Sequence, residues 1–479
     1  MFFRQLVEPK LAQYSYLIGC QETGEAIVVD PMRDIERYME EAEKASLKLT
    51  ATADTHIHED YLSGSRELAE RLSLQVFVSD CGDEEWKFNW VLNGKYDYKL
   101  LKDGNIFFIG NIKFKVLHSP GHTPEHISFL VTDTKTDSDY PVGILTGDFV
   151  FVGDVGRPDL LESAVGQAHT MKPAATRLYD SIQQFRLLPN DLQLWPGHGS
   201  GSACGKALGG VPISTVGYEL KFNAAINAGK NQAEFVDYIL DGQPEPPVYF
   251  SRMKIENRNG PAILGDFPNP QQFTFQKLAD FAKNKNEILL DTRTWEEFRL
   301  GHIPGSLFTP PNKALSTVCG CYVDPKLSVY LIINHNDITE AIAALIRVGI
   351  DKIAGYFLPE EVAKYQAEGG SLIQTKEIRA SQLLKMPDQD GTFLLDVRRD
   401  YELKETGYIR GAYNISHARL PDRLKELPTG KHILVQCRTG VRSCYASAFL
   451  ERQGFHVSNV AGGLFEWIES GGHVERVRG

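Results

Sequence analysis

The chain has no excess of basic charge, no long apolar run and no cysteine framework. Its 479 residues carry 51 Lys+Arg against 62 Asp+Glu, a net charge of −11. Surfaces that bind phosphate backbones show a basic excess, so nucleic acid is not an expected partner. No apolar stretch approaches the ~18 residues of a membrane span, and Met1–Lys10 lacks the apolar centre of a secretory signal. Seven cysteines are an ordinary and odd count. That argues against a disulfide framework and for free thiols in a reducing compartment. Hydrophobic residues at 42% and charged residues at 24% match globular usage, which excludes a disordered, collagen-like or coiled-coil chain. The expectation is an acidic, cytoplasmic, soluble protein of about three domains.

What is present is a series of strand-like runs, each feeding a polar loop. Tyr14–Ile18 and Ala26–Val29 flank a turn at 21–24, and Ile35, Tyr38, Met39 and Ala42 have helical spacing. Leu49–Ala53 leads into Asp54-Thr-His-Ile-His-Glu-Asp60, with a helix expected from Ser65 as its N-cap. Ile106–Ile109 and Ile112–Leu117 form a hairpin, and Ile127–Val131, Val142–Thr146 and Leu192–Trp195 are further strands. Segment 246–267 is rich in Pro, Gly and Asn and reads as a linker. Beyond it the chain repeats itself. Ile288-Leu-Leu-Asp-Thr-Arg293 recurs as Phe393-Leu-Leu-Asp-Val-Arg398, and Gly301–Gly305 recurs as Gly407–Gly411. A period of about 105 residues marks two copies of a domain, since solenoid repeats run about 20–50. Each copy alternates short strands with helices and should hold a parallel sheet. The expected division is 1–245, the linker, 268–370 and 375–479.

Four segments of the first domain carry metal-type ligands. They are His56-Ile-His58-Glu-Asp60-Tyr61, Gly121-His122, Gly147-Asp148 and Gly197-His198, each just after a predicted strand. Such placement brings side chains together at one sheet edge, where α/β proteins hold ligands. The pattern resembles the metallo-β-lactamase superfamily over about residues 1–240, which implies an αββα sandwich. Tyr61 departs from it, because dinuclear hydrolases of that superfamily have histidine there. A phenol with a pKa near 10 is a poor Zn²⁺ ligand at neutral pH, so the second metal position is weakened. Two imidazoles and one carboxylate with open positions are the arrangement of non-haem Fe(II) oxygenases. The sequence resembles the persulfide dioxygenase branch, of the ethylmalonic-encephalopathy-protein type. That resemblance implies one Fe(II) per chain on His56, His122 and Asp148. His58, Asp60 and His198 then orient ligands or substrate. Arg157 either steers an anionic thiol substrate or pairs with Asp159. Cys204, six residues after His198, is read as a small buried thiol, with a sulfur-relay role as the alternative.

In the second repeat, the strand Ile433–Gln436 runs into Cys437-Arg-Thr-Gly-Val-Arg442-Ser443 and then a helix. Backbone N–H groups of a tight loop, the helix N-terminus, Arg438 and Arg442 all favour a thiolate. This loop, with Asp396-Val-Arg398 and Ala461-Gly-Gly463, resembles the rhodanese family over about 375–477. The resemblance implies a sulfur-transfer site of Cys437, Arg438, Arg442 and Asp396. Related phosphatases use Cys-x5-Arg; here the spacing is Cys-x4-Arg, the sulfurtransferase length. Cys444 is expected to be packing. The first repeat has Asn334-His-Asn-Asp337 at the corresponding place, with no cysteine or arginine, and is read as a rhodanese-like domain kept for structure. Cys319 and Cys321 are read as two free thiols.

The module order resembles persulfide dioxygenase–sulfurtransferase fusions of sulfide detoxification. It implies a low-molecular-weight thiol persulfide, O₂ and sulfite as small-molecule partners, with thiosulfate as product, and a homo-oligomeric chain without membrane attachment. The rival expectations are a glyoxalase II-like Zn²⁺ thioester hydrolase fused to a sulfurtransferase, and a sulfur-carrying scaffold with a vestigial metal site.

Overall fold

The computed structural model describes residues 1–136, 139–164, 166–281, 286–386 and 391–476. The chain divides into two compact units, 1–267 with 346–349, and 268–345 with 350–479. Among the described residues no helix is long and apolar enough to cross a membrane.

The first unit is built on two six-stranded sheets. One runs in chain order through Phe2–Glu8, Gln13–Cys20, Glu25–Val29, Lys48–Ala53, Gln75–Ser79 and Tyr98–Leu101. The other runs from Ile106–Ile109 through Ile112–His118, Ile127–Asp133, Gly143–Gly147 and Gln193–Pro196 to Ser214–Thr215. Alternation along the strands assigns the layers. Ile18, Ile27, Ala53 and Phe77 meet Phe114, Phe129, Leu145 and Trp195 between the sheets. Leu17, Ala26 and Val28 point the other way and pack on Tyr38, Ala42 and Leu68 of the outer helices. On the far side, Ile144 and Leu194 pack on Leu178, Ile182 and Phe185 of the helix Met171–Phe185. The result is the expected αββα sandwich.

Two local expectations are corrected. Ser65 is the first residue of the helix Ser65–Leu72 and not its cap; its hydroxyl donates to Asp54 instead. The stretch expected as a linker contains the helix Phe250–Asn259, which buries Phe250, Met253, Lys254 and Asn257 and belongs to the first unit.

The second unit holds two five-stranded sheets of identical order. The first is Gln271–Gln272, Ile353–Phe357, Ser328–Ile332, Glu287–Asp291, Leu307–Phe308; the second is Lys376–Arg379, Val457–Ala461, His432–Gln436, Thr392–Asp396, Tyr413–Asn414. All pairings within both are parallel. The sequence repeat is thus a structural repeat. The two copies also pack on each other. Tyr322 stacks on Phe449 and donates to the His417 carbonyl, Phe308 stacks on Tyr445, and His302 Nε2 lies 3.3 Å from Glu451.

Candidate metal centre and sulfur-transfer loop

In the first unit, the strands Lys48–Ala53, Ile112–His118, Gly143–Gly147 and Gln193–Pro196 end at one rim and release the four ligand-bearing segments there. Ligating atoms of His56, His122 and Asp148 come within 4.8 Å of one another, and all three residues are buried. The imidazoles are oriented from behind. Thr55 Oγ1 donates to Asp30, so it accepts from His56 Nδ1 at 2.9 Å and leaves Nε2 as the ligating nitrogen. His122 Nδ1 donates to the Arg157 carbonyl at 3.1 Å, and its Nε2 sits 3.6 Å from Asp148 Oδ2. That Oδ2 is buried and has no hydrogen-bond partner. Burial holds His56 and His122 below the usual histidine range, with neighbouring imidazoles adding to the effect at His56. Both are therefore neutral, as ligands must be. Burial also pushes the Asp148 carboxyl up to about 6. Two presented nitrogens and one unpartnered carboxylate oxygen fit a divalent metal with N/O preference.

The neighbouring residues divide into two sets. His58 Nε2 faces Asp30 at 3.2 Å and the Tyr61 hydroxyl at 3.0 Å, while its buried Nδ1 has no partner. Burial disfavours charge on His58, but the Asp30, Asp54 and Asp60 carboxylates outweigh it and raise its pKa to about 9. Tyr61 is fully buried and also accepts from Gln13 at 2.9 Å. The second set is Asp60, His198 and Cys204, whose ligating atoms also lie within 4.8 Å of one another. His198 Nε2 stands 3.4 Å from both Asp60 and Asp148. Cys204 is buried against these carboxylates. Burial first, then Asp60 and Asp148, push its thiol well above the ordinary range. Arg157 is spent on Asp159 through two hydrogen bonds of 2.8 and 2.6 Å, so of its two expected roles the structure shows the ion pair.

In the second unit, Cys437 directly follows the central strand His432–Gln436 and is fully buried. Gly440, at φ 96°, turns the chain so that its N–H donates to Cys437 Sγ at 3.2 Å. The Ser443 hydroxyl lies 3.6 Å from the same sulfur. The helix Val441–Arg452 starts there and aims its N-terminus at the loop. Arg442 is held by Glu402 through two hydrogen bonds, one of 2.8 Å, and interacts electrostatically with Cys437. Arg438 points outward, with its guanidinium 5.6 Å from the Phe465 ring.

The metallo-beta-lactamase superfamily profile matches residues 9–198, and the rhodanese-like profile matches 274–358 and 379–470. A metallo-beta-lactamase structure from Staphylococcus aureus subsp. aureus COL is 37% identical, with a TM-score of 0.66, over 75% of this chain and 98% of its own. The chain belongs to the metallo-beta-lactamase superfamily. Two rhodanese-like domains follow its metallo-beta-lactamase domain. Among curated proteins, the mitochondrial persulfide dioxygenase ETHE1 of Bos taurus is 26% identical over 226 residues, 47% of this chain and 75% of its own length. A hydroxyacylglutathione hydrolase of Francisella philomiragia is 28% identical over 196 residues, 41% of this chain and 66% of its own.

Asp396, expected in the sulfur-transfer site, is engaged by Arg398 in the structure. Both its oxygens accept from Arg398, which also reaches the Gly407 carbonyl. The first rhodanese-like domain repeats this arrangement with Asp291, Arg293 and the Gly301 carbonyl, although its loop at 334–337 carries no cysteine. The pair is therefore a latch of the fold. The first copy also packs on the second. It covers Tyr445 and Phe449 on the helix that follows Cys437. Cys319, Cys321 and Cys444 are buried and not disulfide-bonded.

Several residues at the metal centre escaped the sequence reading. Asp30, at a strained φ of 53°, accepts from the Thr55 amide at 2.7 Å and sets the loop that carries His56. His126 accepts from the Asp148 amide at 3.0 Å. Its spacing in Gly121-His122-Thr-Pro-Glu-His126, just before a strand, was the available signal. Lys254, Glu59, Glu125 and Asn257 carried none.

The loop of the first rhodanese-like domain permits a direct check. Asn334 and His335 are exposed, and neither side chain can hold a persulfide sulfur as a thiolate does. Asn334→Ala and His335→Ala should leave sulfur-transfer turnover within about twofold, because surface substitutions cost little. A large loss in a folded variant would show that this loop takes part.

Proposed function

We propose that the protein is an enzyme of sulfur metabolism that oxidises a small thiol persulfide with O₂ and passes sulfane sulfur through Cys437. The observation that carries the reading is Tyr61. It stands at the chain position where a two-metal hydrolase has a histidine ligand, and its buried hydroxyl is engaged by His58 and Gln13. That favours a single metal on His56, His122 and Asp148. Fe(II) in that position would supply O₂ activation beside a bound sulfur. The chain's own residues do the rest. Thr55 and the Arg157 carbonyl fix the two imidazoles, and His126 fixes the backbone of Asp148. The reaction takes one persulfide, one O₂ and one water to thiol, sulfite and two protons.

Sulfur transfer follows in the second rhodanese-like domain. The Cys437 thiolate attacks the outer sulfur of R–S–SH; the R–S–S bond breaks and the thiol leaves as RS⁻. The sulfite sulfur then attacks the outer sulfur of Cys437–S–SH, releasing thiosulfate and restoring the thiolate. The Gly440 amide, which donates to Sγ, supports the anion at the start and end of this cycle. Supporting relatives are the persulfide dioxygenases at 26% identity and the paired rhodanese-like domains.

The rival reading, a two-zinc thioester hydrolase, has a relative at 28% identity and would need Asp60, His198 and Cys204 for its second ion. Metal analysis of anaerobically purified protein separates the two. We expect about one iron per chain and O₂ uptake with a glutathione or coenzyme A persulfide. Two tightly bound zinc ions together with hydrolysis of an acyl-glutathione would sink the dioxygenase reading.

A further inference from the structure

Three charged side chains are buried beside the metal centre and belong to none of the ligand sets. Glu59 follows His58 in the loop of the first histidines. Glu125 lies between His122 and His126. Lys254 comes from the helix Phe250–Asn259, beyond the 9–198 superfamily match. Glu59 is 1% exposed, Glu125 0% and Lys254 7%. The Lys254 ammonium donates to Glu59 Oε1 and lies 3.8 Å from the Trp86 ring centroid, so it is held between a carboxylate and an aromatic face. It also interacts with the Glu125 carboxylate and with His122. Glu125 Oε1 in turn accepts from the Ile57 amide at 2.8 Å, the peptide between the two histidines. One turn along the same helix, Asn257 donates to the carbonyls of His58 and Tyr61 at 2.9 and 2.7 Å. It accepts from the Ser63 amide at 2.8 Å. Residues three apart share a helix face, so Lys254 and Asn257 grip one loop together.

Glu59 is on the loop of His56 and Glu125 on the segment of His122, and burying two acidic groups near one site is costly without a counter-charge. Lys254 is hydrogen-bonded to the first and interacts electrostatically with the second, whose Oε1 holds the Ile57 amide of the His56 loop, so the cation supports the contact between the two ligand-bearing segments. We propose that Lys254 is a positioning residue of the metal centre, fixing the loop of His56 against the segment of His122. This rests on reading His56, His122 and Asp148 as the metal ligands. It follows that the helix Phe250–Asn259 is part of that centre.

The test uses the full-length chain loaded with Co²⁺, whose ligand-field absorption reports coordination geometry, and Fe²⁺ affinity by competition with a chelator. Far-UV circular dichroism of the metal-free protein serves as the fold control. Groups that orient metal ligands typically contribute about 10–100-fold to affinity. Lys254→Met should weaken Fe²⁺ binding by about tenfold or more and shift the Co²⁺ bands, while Lys254→Arg, which keeps the cation, restores both toward wild type. If Lys254→Met does not fold, Lys254→Met with Glu59→Gln removes both charges of the pair; it should fold and still bind weakly. Wild-type Co²⁺ bands and Fe²⁺ affinity in a folded Met variant, single or double, would overturn the proposal, as would an equal loss in Lys254→Arg. Weak binding in the Met variant beside a wild type that binds metal but takes up no O₂ with persulfides would sink the dioxygenase reading and leave this one standing.

Discussion

Cys437→Ser should still consume O₂ with a persulfide substrate, and its product should change from thiosulfate to sulfite. Serine keeps the size of the side chain and can accept the Gly440 amide that now meets Sγ at 3.2 Å. A hydroxyl at neutral pH is a far weaker nucleophile and cannot store sulfane sulfur. Loss of an essential nucleophile costs about a thousandfold or more in turnover, so enzymatic thiosulfate should fall to the level of the uncatalysed sulfite–persulfide reaction. The proposed metal ligands belong to the other compact unit and are untouched. Product speciation by chromatography after thiol labelling, at equal O₂ consumed, gives the answer. Thiosulfate persisting above the uncatalysed rate would falsify the role of Cys437. Cys204 would then be the next thiol to consider, although burial and the Asp60 and Asp148 carboxylates keep it protonated.

The candidate metal cluster of His56, His122 and Asp148 was legible as a group in the sequence because its parts are polar residues placed directly after apolar runs. A strand ending at a Gly-His or Gly-Asp step fixes where the next side chain stands. His56, His122, Asp148 and His198 could therefore be grouped before any coordinates. The Phe250–Asn259 helix was not legible for the opposite reason. Half of its buried residues are polar, Lys254 and Asn257, so its inner face does not read as an apolar stripe. It is also flanked by Glu-Pro-Pro and Gly-Pro, which read as a linker. The helix Val441–Arg452 was expected after the Cys437 loop, but its surroundings were not. Every residue from Ser443 to Leu450 is buried, so it is covered on more than one side. That cover includes Phe308 and Tyr322 of the first copy, which stack on Tyr445 and Phe449. The pairing of Asp396 with Arg398 could have been read from the repeat itself. Asp291 and Arg293 keep the same spacing in the copy whose loop at 334–337 has no cysteine, as a latch of the fold would and a catalytic group need not.

His122→Ala should abolish O₂ uptake and leave sulfur transfer at Cys437 intact. The substitution removes one of three proposed ligands and frees the Arg157 carbonyl that now accepts from Nδ1. His56 and Asp148 would remain, a two-ligand set facing Asp60 and His198. Losing a direct ligand should weaken iron binding by at least the hundredfold or so that a group behind a ligand can contribute. Anaerobically purified variant should then hold well under a tenth of the wild-type iron, and its O₂ uptake should fall in proportion. Sulfur transfer from thiosulfate should stay within about twofold, because the two sites belong to separate compact units and independent sites behave additively. Circular dichroism and thermal unfolding of the metal-free proteins control for the buried space left by the ring. Two results would count against this account. Full iron content in the variant would place the metal elsewhere, with Asp60, His198 and Cys204 as the first alternative set. Loss of both activities in a folded variant would mean that sulfur transfer at Cys437 depends on the metal centre of the other unit.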